Sequence, residues 1–336
     1  MANKRIFYAC QAVAITTQDG SVGAGNVMKG VQSVGINTNI SLDQVFELGQ
    51  AAIYENIEEV AEVEVTIEKV LDGHKLLYNA AAPSGGTDIV AASAEECDVY
   101  LAIYADSANA IASTNKVNVV ACPKMVVGSV SYSWTVDGTA TESVTLVGND
   151  KVWNTQASDL MSADADTKYA DGLATGIDGT HSPLHAAAGS GVVRRSNVYS
   201  HGDGGADWPA AVLTNGTAGS RRVQSISMSA DFGRENILEL GSFGPYCKYA
   251  SFPFEVSAEF EVVSSGGDLV NVSGTGKNLG TGETITVTDQ AGTVVSGDNF
   301  KLTGVSYSGG DTGGGNASVT FSYSTFNSFT ATNPSA

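Results

Sequence analysis

The chain has 336 residues, 42% of them hydrophobic, which is enough for sizeable cores and, at roughly 150 residues per domain, for about two domains. Only 16% are charged, against about 25% in a typical globular domain, and its 39 glycines follow no fixed period, so collagen-like, coiled-coil and disordered classes are excluded. A formal charge of −19, from 17 basic and 36 acidic residues, excludes a protein that grips nucleic acid by neutralising phosphates.

The apolar run at 6–15 follows Lys4 and Arg5 but is interrupted by Gln11, and it reads as a first β-strand rather than a signal peptide. Residues 62–68 alternate strictly: Val63, Val65 and Ile67 share one face, Glu62, Glu64, Thr66 and Glu68 the other. Period two over this length predicts a half-buried strand, ended by a turn at Asp72-Gly73. A short helix is expected around 87–97, and apolar runs at 99–104 and 117–122 read as further strands. Residues 130–146 read as a hairpin reversing at Asp137-Gly138. Residues 255–261 repeat the acidic alternation: Val256, Ala258 and Phe260 on one side, Glu255, Glu259 and Glu261 on the other.

The chain resembles itself. Val31-Gln32-Ser33-Val34, then Glu47-Leu48-Gly49 and Tyr54, recurs as Val223-Gln224-Ser225-Ile226, Glu239-Leu240-Gly241 and Tyr246, with an offset of 192 in the ungapped stretch. Val130-Ser131-Tyr132-Ser133 and Ser143-Val144-Thr145-Leu146 recur as Val305-Ser306-Tyr307-Ser308 and Ser318-Val319-Thr320-Phe321, with an offset of 175. Two blocks in the same order point to a duplication. The fold expected is mainly β: two related antiparallel β-barrel or sandwich domains, each with a short helix. Residues 1–150 form the first copy and 206–336 the second, around a Gly/Ala/Asp-rich linker or surface excursion at 151–205 with little core of its own.

Signatures of chemistry are weak. His181-x-x-x-His185 has metal-pair spacing but brackets Ser182-Pro183 in a Gly-rich setting, and Asp164-x-Asp166 lacks the glycine and closing acid of a calcium loop. Residues 274–278 lack the spacing and the hydroxyl of a phosphate loop. His74 and His201 have no partner motif, and Cys10, Cys97, Cys122 and Cys247, dispersed without a Cys-x-x-Cys pair, read as buried free thiols. No enzyme activity, cofactor or metal is expected, and no apolar stretch approaches the ~18 residues of a membrane helix.

Residues 31–73, from VQSVGINTN to KVLDG, and 126–150, VVGSVSYSWTVDGTATESVTLVGND, resemble the tail tube proteins of tailed bacteriophages. The resemblance covers most of the first copy and, more faintly, the second. It implies stacked rings in which sheets of neighbouring subunits close into a β-barrel around a DNA channel. It also implies a virion (tail) location after assembly in the host cytoplasm, with sheath or tape-measure proteins as further partners. Glu62, Glu64, Glu68, Glu255, Glu259 and Glu261 are then expected to face the lumen, where carboxylates let DNA pass without tight binding. Many members carry one such domain per chain in rings of six. Two copies per chain predict a trimer with pseudo-sixfold symmetry, with a true hexamer as the rival. Another ring component of the tail (hub, distal or terminator protein) is a near alternative. A surface adhesive or carbohydrate-binding β-protein using Trp134, Trp153 and Trp208 is the alternative from another class.

Overall fold

The computed structural model describes residues 6–18, 26–49, 51–104, 116–154, 191–214, 222–272, 282–310 and 315–333. In chain order the first half holds β1 (Gln11–Thr17), β2 (Val31–Asn39), β3 (Leu42–Phe46), β4 (Ile53–Glu58) and β5 (Glu62–Val70). The short helices α1 (Leu77–Ala81) and α2 (Ile89–Ala92) follow, then β6 (Cys97–Tyr104), β7 (Lys116–Thr135), β8 (Thr141–Gly148) and β9 (Val152–Asn154). The second half holds α3 (Ala210–Thr214), β10 (Val223–Asp231), β11 (Arg234–Ile237), β12 (Cys247–Ala250) and β13 (Glu255–Val263). It ends with β14 (Glu283–Thr288), β15 (Val294–Ser308), β16 (Ser318–Phe326) and β17 (Thr330–Thr332). The fold is mainly antiparallel β, as the alternating patterns predict.

The main sheet runs in the order β2-β5-β8-β7-β10-β13-β16-β15-β14. Strands β5, β8, β13 and β16 alternate buried and accessible residues along most of their length. Each fully buried Val or Ile on the inner side stabilises the fold by about 1.5–3 kcal/mol. Both halves contribute to one core: Tyr78 of α1 packs against Phe232 and Phe329, with ring centroids 6.2 and 5.9 Å away.

The same pairings recur along the chain. β2 pairs with β5 with a bulge between Val31 and Ser33; β10 pairs with β13 with a bulge between Val223 and Ser225. β7 and β15 are both long, at 20 and 15 residues. Their first parts pair with β6 and β9, and with β14 and β17; their last parts pair with β8 and with β16. A non-glycine residue in the left-handed region sits in each, Lys124 (φ 51) and Asn299 (φ 60), 175 residues apart. What joins the halves is a direct pairing of β7 with β10.

Several expectations change in detail. The runs expected at 117–122 and from 130 belong to one continuous strand, β7. The helix expected over 87–97 shrinks to α2, where the Asp88 carboxylate accepts a hydrogen bond from the Val90 amide at 2.8 Å. In the segment expected as a linker, residues 191–205 tie the two halves together. Val193 donates to the Leu71 carbonyl and accepts from the Ala140 amide, and Tyr199 donates to the Thr288 carbonyl. Asp164, Asp166, His181, His185, residues 274–278 and most of the segment 151–205 lie outside the described residues.

Asp72-Gly73 forms the expected reversal after β5, with Gly73 at φ 81. A side chain there meets the left-handed penalty, so Gly73→Ala is expected to cost about 1–2 kcal/mol in chemical denaturation. An unchanged midpoint would show that the turn relaxes without cost.

Candidate functional site

The alternation in β5 and β13 sorts side chains as the sequence predicts. Val63, Val65 and Ile67 are buried, Glu62 and Glu64 exposed, Glu68 half-buried; Val256, Ala258 and Phe260 are buried, Glu255 and Glu259 exposed, Glu261 half-buried. The two half-buried carboxylates hold equivalent places. Glu68 accepts from the Ser33 hydroxyl at 3.4 Å, and Glu261 accepts from the Ser225 hydroxyl at 3.3 Å.

Residues directly opposite in an antiparallel sheet point to the same side, so the registers place all six carboxylates on one face. One row crosses the sheet as Ser33, Glu68, Ser143 and Ser131, and continues through the β7–β10 junction as Ser229, Ser257, Ser324 and Lys301. The next row carries Thr66, Thr145, Ser129, Asp231 and Glu255. This surface is hydroxyl-rich and acidic. Charges spaced along exposed strands stay well hydrated, and the face repels a polyanion while offering it few cationic contacts. Sequence reasoning found the carboxylates; the serine and threonine rows between them are also legible as period-two patterns in 225–229 and 318–324.

Two hairpins stand apart from this sheet, β3–β4 and β11–β12. Their turns carry Glu47-Leu48-Gly49 and Glu239-Leu240-Gly241, with Gly49 at φ 104 and Gly241 at φ 91. Leu48 and Leu240 are fully exposed, as are much of Phe46, Tyr54, Phe243 and Tyr246. The second hairpin leans on the first half: Arg234 donates to the carbonyls of Val127 and Ser93, each at 2.7 Å, and the Lys248 ammonium stands 3.9 Å from Glu62.

A buried polar cluster was missed by sequence reasoning. Lys69 and Glu142 oppose each other across β5 and β8, and both are fully buried. Glu142 accepts from the Leu77 amide at 2.8 Å, the Tyr78 amide at 2.9 Å and the Tyr132 hydroxyl at 2.8 Å. Lys69 donates to the Lys75 carbonyl at 2.9 Å and pairs with Asp72 at 3.3 Å. Burial pushes the Glu142 carboxyl up from its ordinary value, against the amides of Tyr78 and Leu77, the charge of Lys69 and the Tyr132 hydroxyl, which hold it down. The signal was present: Lys69 and Glu142 both fall at inward positions of otherwise apolar alternations. Closed off from solvent, the cluster anchors α1 to the sheet.

Other groups are dispersed. Cys10, Cys97 and Cys122 are buried and outside any disulfide, as expected, whereas Cys247 is half-buried. His201 accepts from the Trp208 amide at 3.0 Å and lies 3.2 Å from the Asp207 carboxylate. Trp134 and Trp208 are buried and Trp153 is half-exposed, so the three do not form a set of exposed platforms for sugars.

No known protein-family profile and no curated protein sequence matches the chain. Solved structures do match. The tube-terminating cap of the anti-feeding prophage is 12% identical, over 46% of this chain and 95% of that chain, with a TM-score of 0.34. A chain of the PVC sheath–tube complex, an extracellular contractile injection system in its extended state, is 16% identical over 46% and 94%, with a TM-score of 0.34. Hcp1 from Salmonella typhimurium is 14% identical over 44% and 95%, with a TM-score of 0.24.

Proposed function

We propose that the chain is a tandem of two like units and a structural, ring-forming subunit of a tail tube, its acidic hydroxyl-rich face lining the channel through which DNA passes. The β7–β10 junction carries this reading. It joins β7, the strand at one edge of the first unit's sheet order, to β10, the strand at the opposite edge of the second, head to tail, and a head-to-tail contact that repeats closes into a ring when its rotation allows. Closure also removes open sheet edges, which are otherwise sites of uncontrolled pairing. Because one chain fills two positions, three chains complete a ring of pseudo-sixfold symmetry. The subunit needs no cofactor and catalyses nothing. Its partners are copies of itself, DNA held without tight binding and other tail proteins, such as sheath or tape measure, and its place is the virion tail.

Negative-stain imaging of the purified full-length protein tests this. Rings or hollow tubes with threefold symmetry in averaged end views are expected. Compact monomers at every concentration would remove the ring reading, and six identical chains per ring, with one unit of each lining the channel, would remove the trimer.

A further inference from the structure

The chain holds one complete junction between like units and, at opposite ends of its sheet, the two separate sides of another. In the complete junction, residues 129–135 of β7 pair with residues 225–231 of β10, Tyr132 opposite Met228 and Ser131 opposite Ser229. The strand equivalent to β10 is β2, offset by 192, and the strand equivalent to β7 is β15, offset by 175. Among the described residues, no strand lies along the outer edge of β2 or of residues 304–308 of β15.

Side-chain burial follows the same division. Tyr132 and Met228 are each 0% exposed within the complete junction, whereas Tyr307, equivalent to Tyr132, is 53% exposed, and Ile36, equivalent to Met228, is half-buried. Both therefore keep apolar surface that their counterparts bury.

We infer that residues 304–310 of one chain pair antiparallel with residues 33–39 of a second copy, with Ile36 opposite Tyr307, Asn37 opposite Ser306 and Thr38 opposite Val305. This rests on the ring reading and adds to it the surface and the register. The register follows from transferring the complete junction through the two offsets. It sets Ile36 against Tyr307 on the apolar side and Asn37 against Ser306 on the polar side, so that both faces of the sheet continue across the boundary. It brings no like charges opposite each other, a condition for a stable cross-strand pair.

The test is disulfide trapping in the full-length protein. Asn37→Cys and Ser306→Cys are combined in one chain, with Asn39→Cys plus Ser308→Cys as the pair shifted by four residues. Directly opposed residues lie about 4.5–5.5 Å apart, within disulfide reach, and the shifted pair lies beyond it. After oxidation the first variant is expected to lose its monomer band on a non-reducing gel in favour of a covalent ring of chains. The shifted pair and the parent protein, whose four cysteines remain, are expected to keep theirs. Rings in the microscope with no trapping of Asn37→Cys/Ser306→Cys, or with trapping of the shifted pair alone, would overturn the register and leave the ring reading standing. A protein monomeric at all concentrations would overturn both.

Discussion

Assembled protein carrying Glu64→Lys, Glu255→Lys and Glu259→Lys is expected to retain linear double-stranded DNA, and the parent protein to let it go. The three positions are exposed on the one acidic face, so the change replaces repulsion by phosphate neutralisation without disturbing the core. With about 6–10 phosphates contacted, retention should weaken by roughly 10³–10⁵ between 50 and 200 mM salt, because bound cations are released from the DNA and must be recaptured. Topology of the DNA separates the inner wall from the outer. A closed circle cannot enter a preassembled tube, so linear duplex should bind and covalently closed circular duplex should not. Equal retention of both would place these carboxylates on the outer wall and end the channel assignment.

Glu142→Ala is expected to be the most destabilising single substitution among the carboxylates of β5, β8 and β13, by about 3–5 kcal/mol in urea denaturation. The amides of Leu77 and Tyr78 and the Tyr132 hydroxyl lose their acceptor in a site closed to water, and the Lys69 cation loses the charge opposite it. Glu64→Ala, on the exposed face, is expected to stay within about 0.5 kcal/mol. The pH dependence has a definite sign. Burial raises the folded-state pKa of Glu142 above its unfolded value, so the folded protein holds this proton more tightly. Its contribution is greatest below the unfolded carboxyl pKa and falls as pH rises through the folded value. Glu142→Gln should flatten that arm of the stability–pH curve, and a slope identical to the parent's would show that Glu142 does not titrate in this window.

The alternation of Val63, Val65 and Ile67 with four polar neighbours determined a half-buried strand, because only period two puts all three on one side of a pleated chain. The same reasoning located β13, the reversal at Asp72-Gly73, the hairpin at Asp137-Gly138 and the six carboxylates. The repetition at offsets of 192 and 175 was also plain in the residues themselves. Helix α1 was not, since a five-residue segment buried on every side has no polar face and leaves no 3.6-residue periodicity to detect. Lys69 and Glu142 broke their alternations visibly, yet which residue each would meet depended on the β5–β8 register, which no local pattern specifies.

The largest decision belonged to tertiary structure alone. Local periodicity sets which way a side chain points but not which strand lies alongside, since backbone amides and carbonyls are alike in every strand. The two halves, expected as two related barrel or sandwich domains, share one sheet through the β7–β10 pairing and one core around Tyr78, Phe232 and Phe329. That pairing brought the carboxylates of both halves to a single face, and it left the edges of β2 and β15 at opposite ends of the sheet.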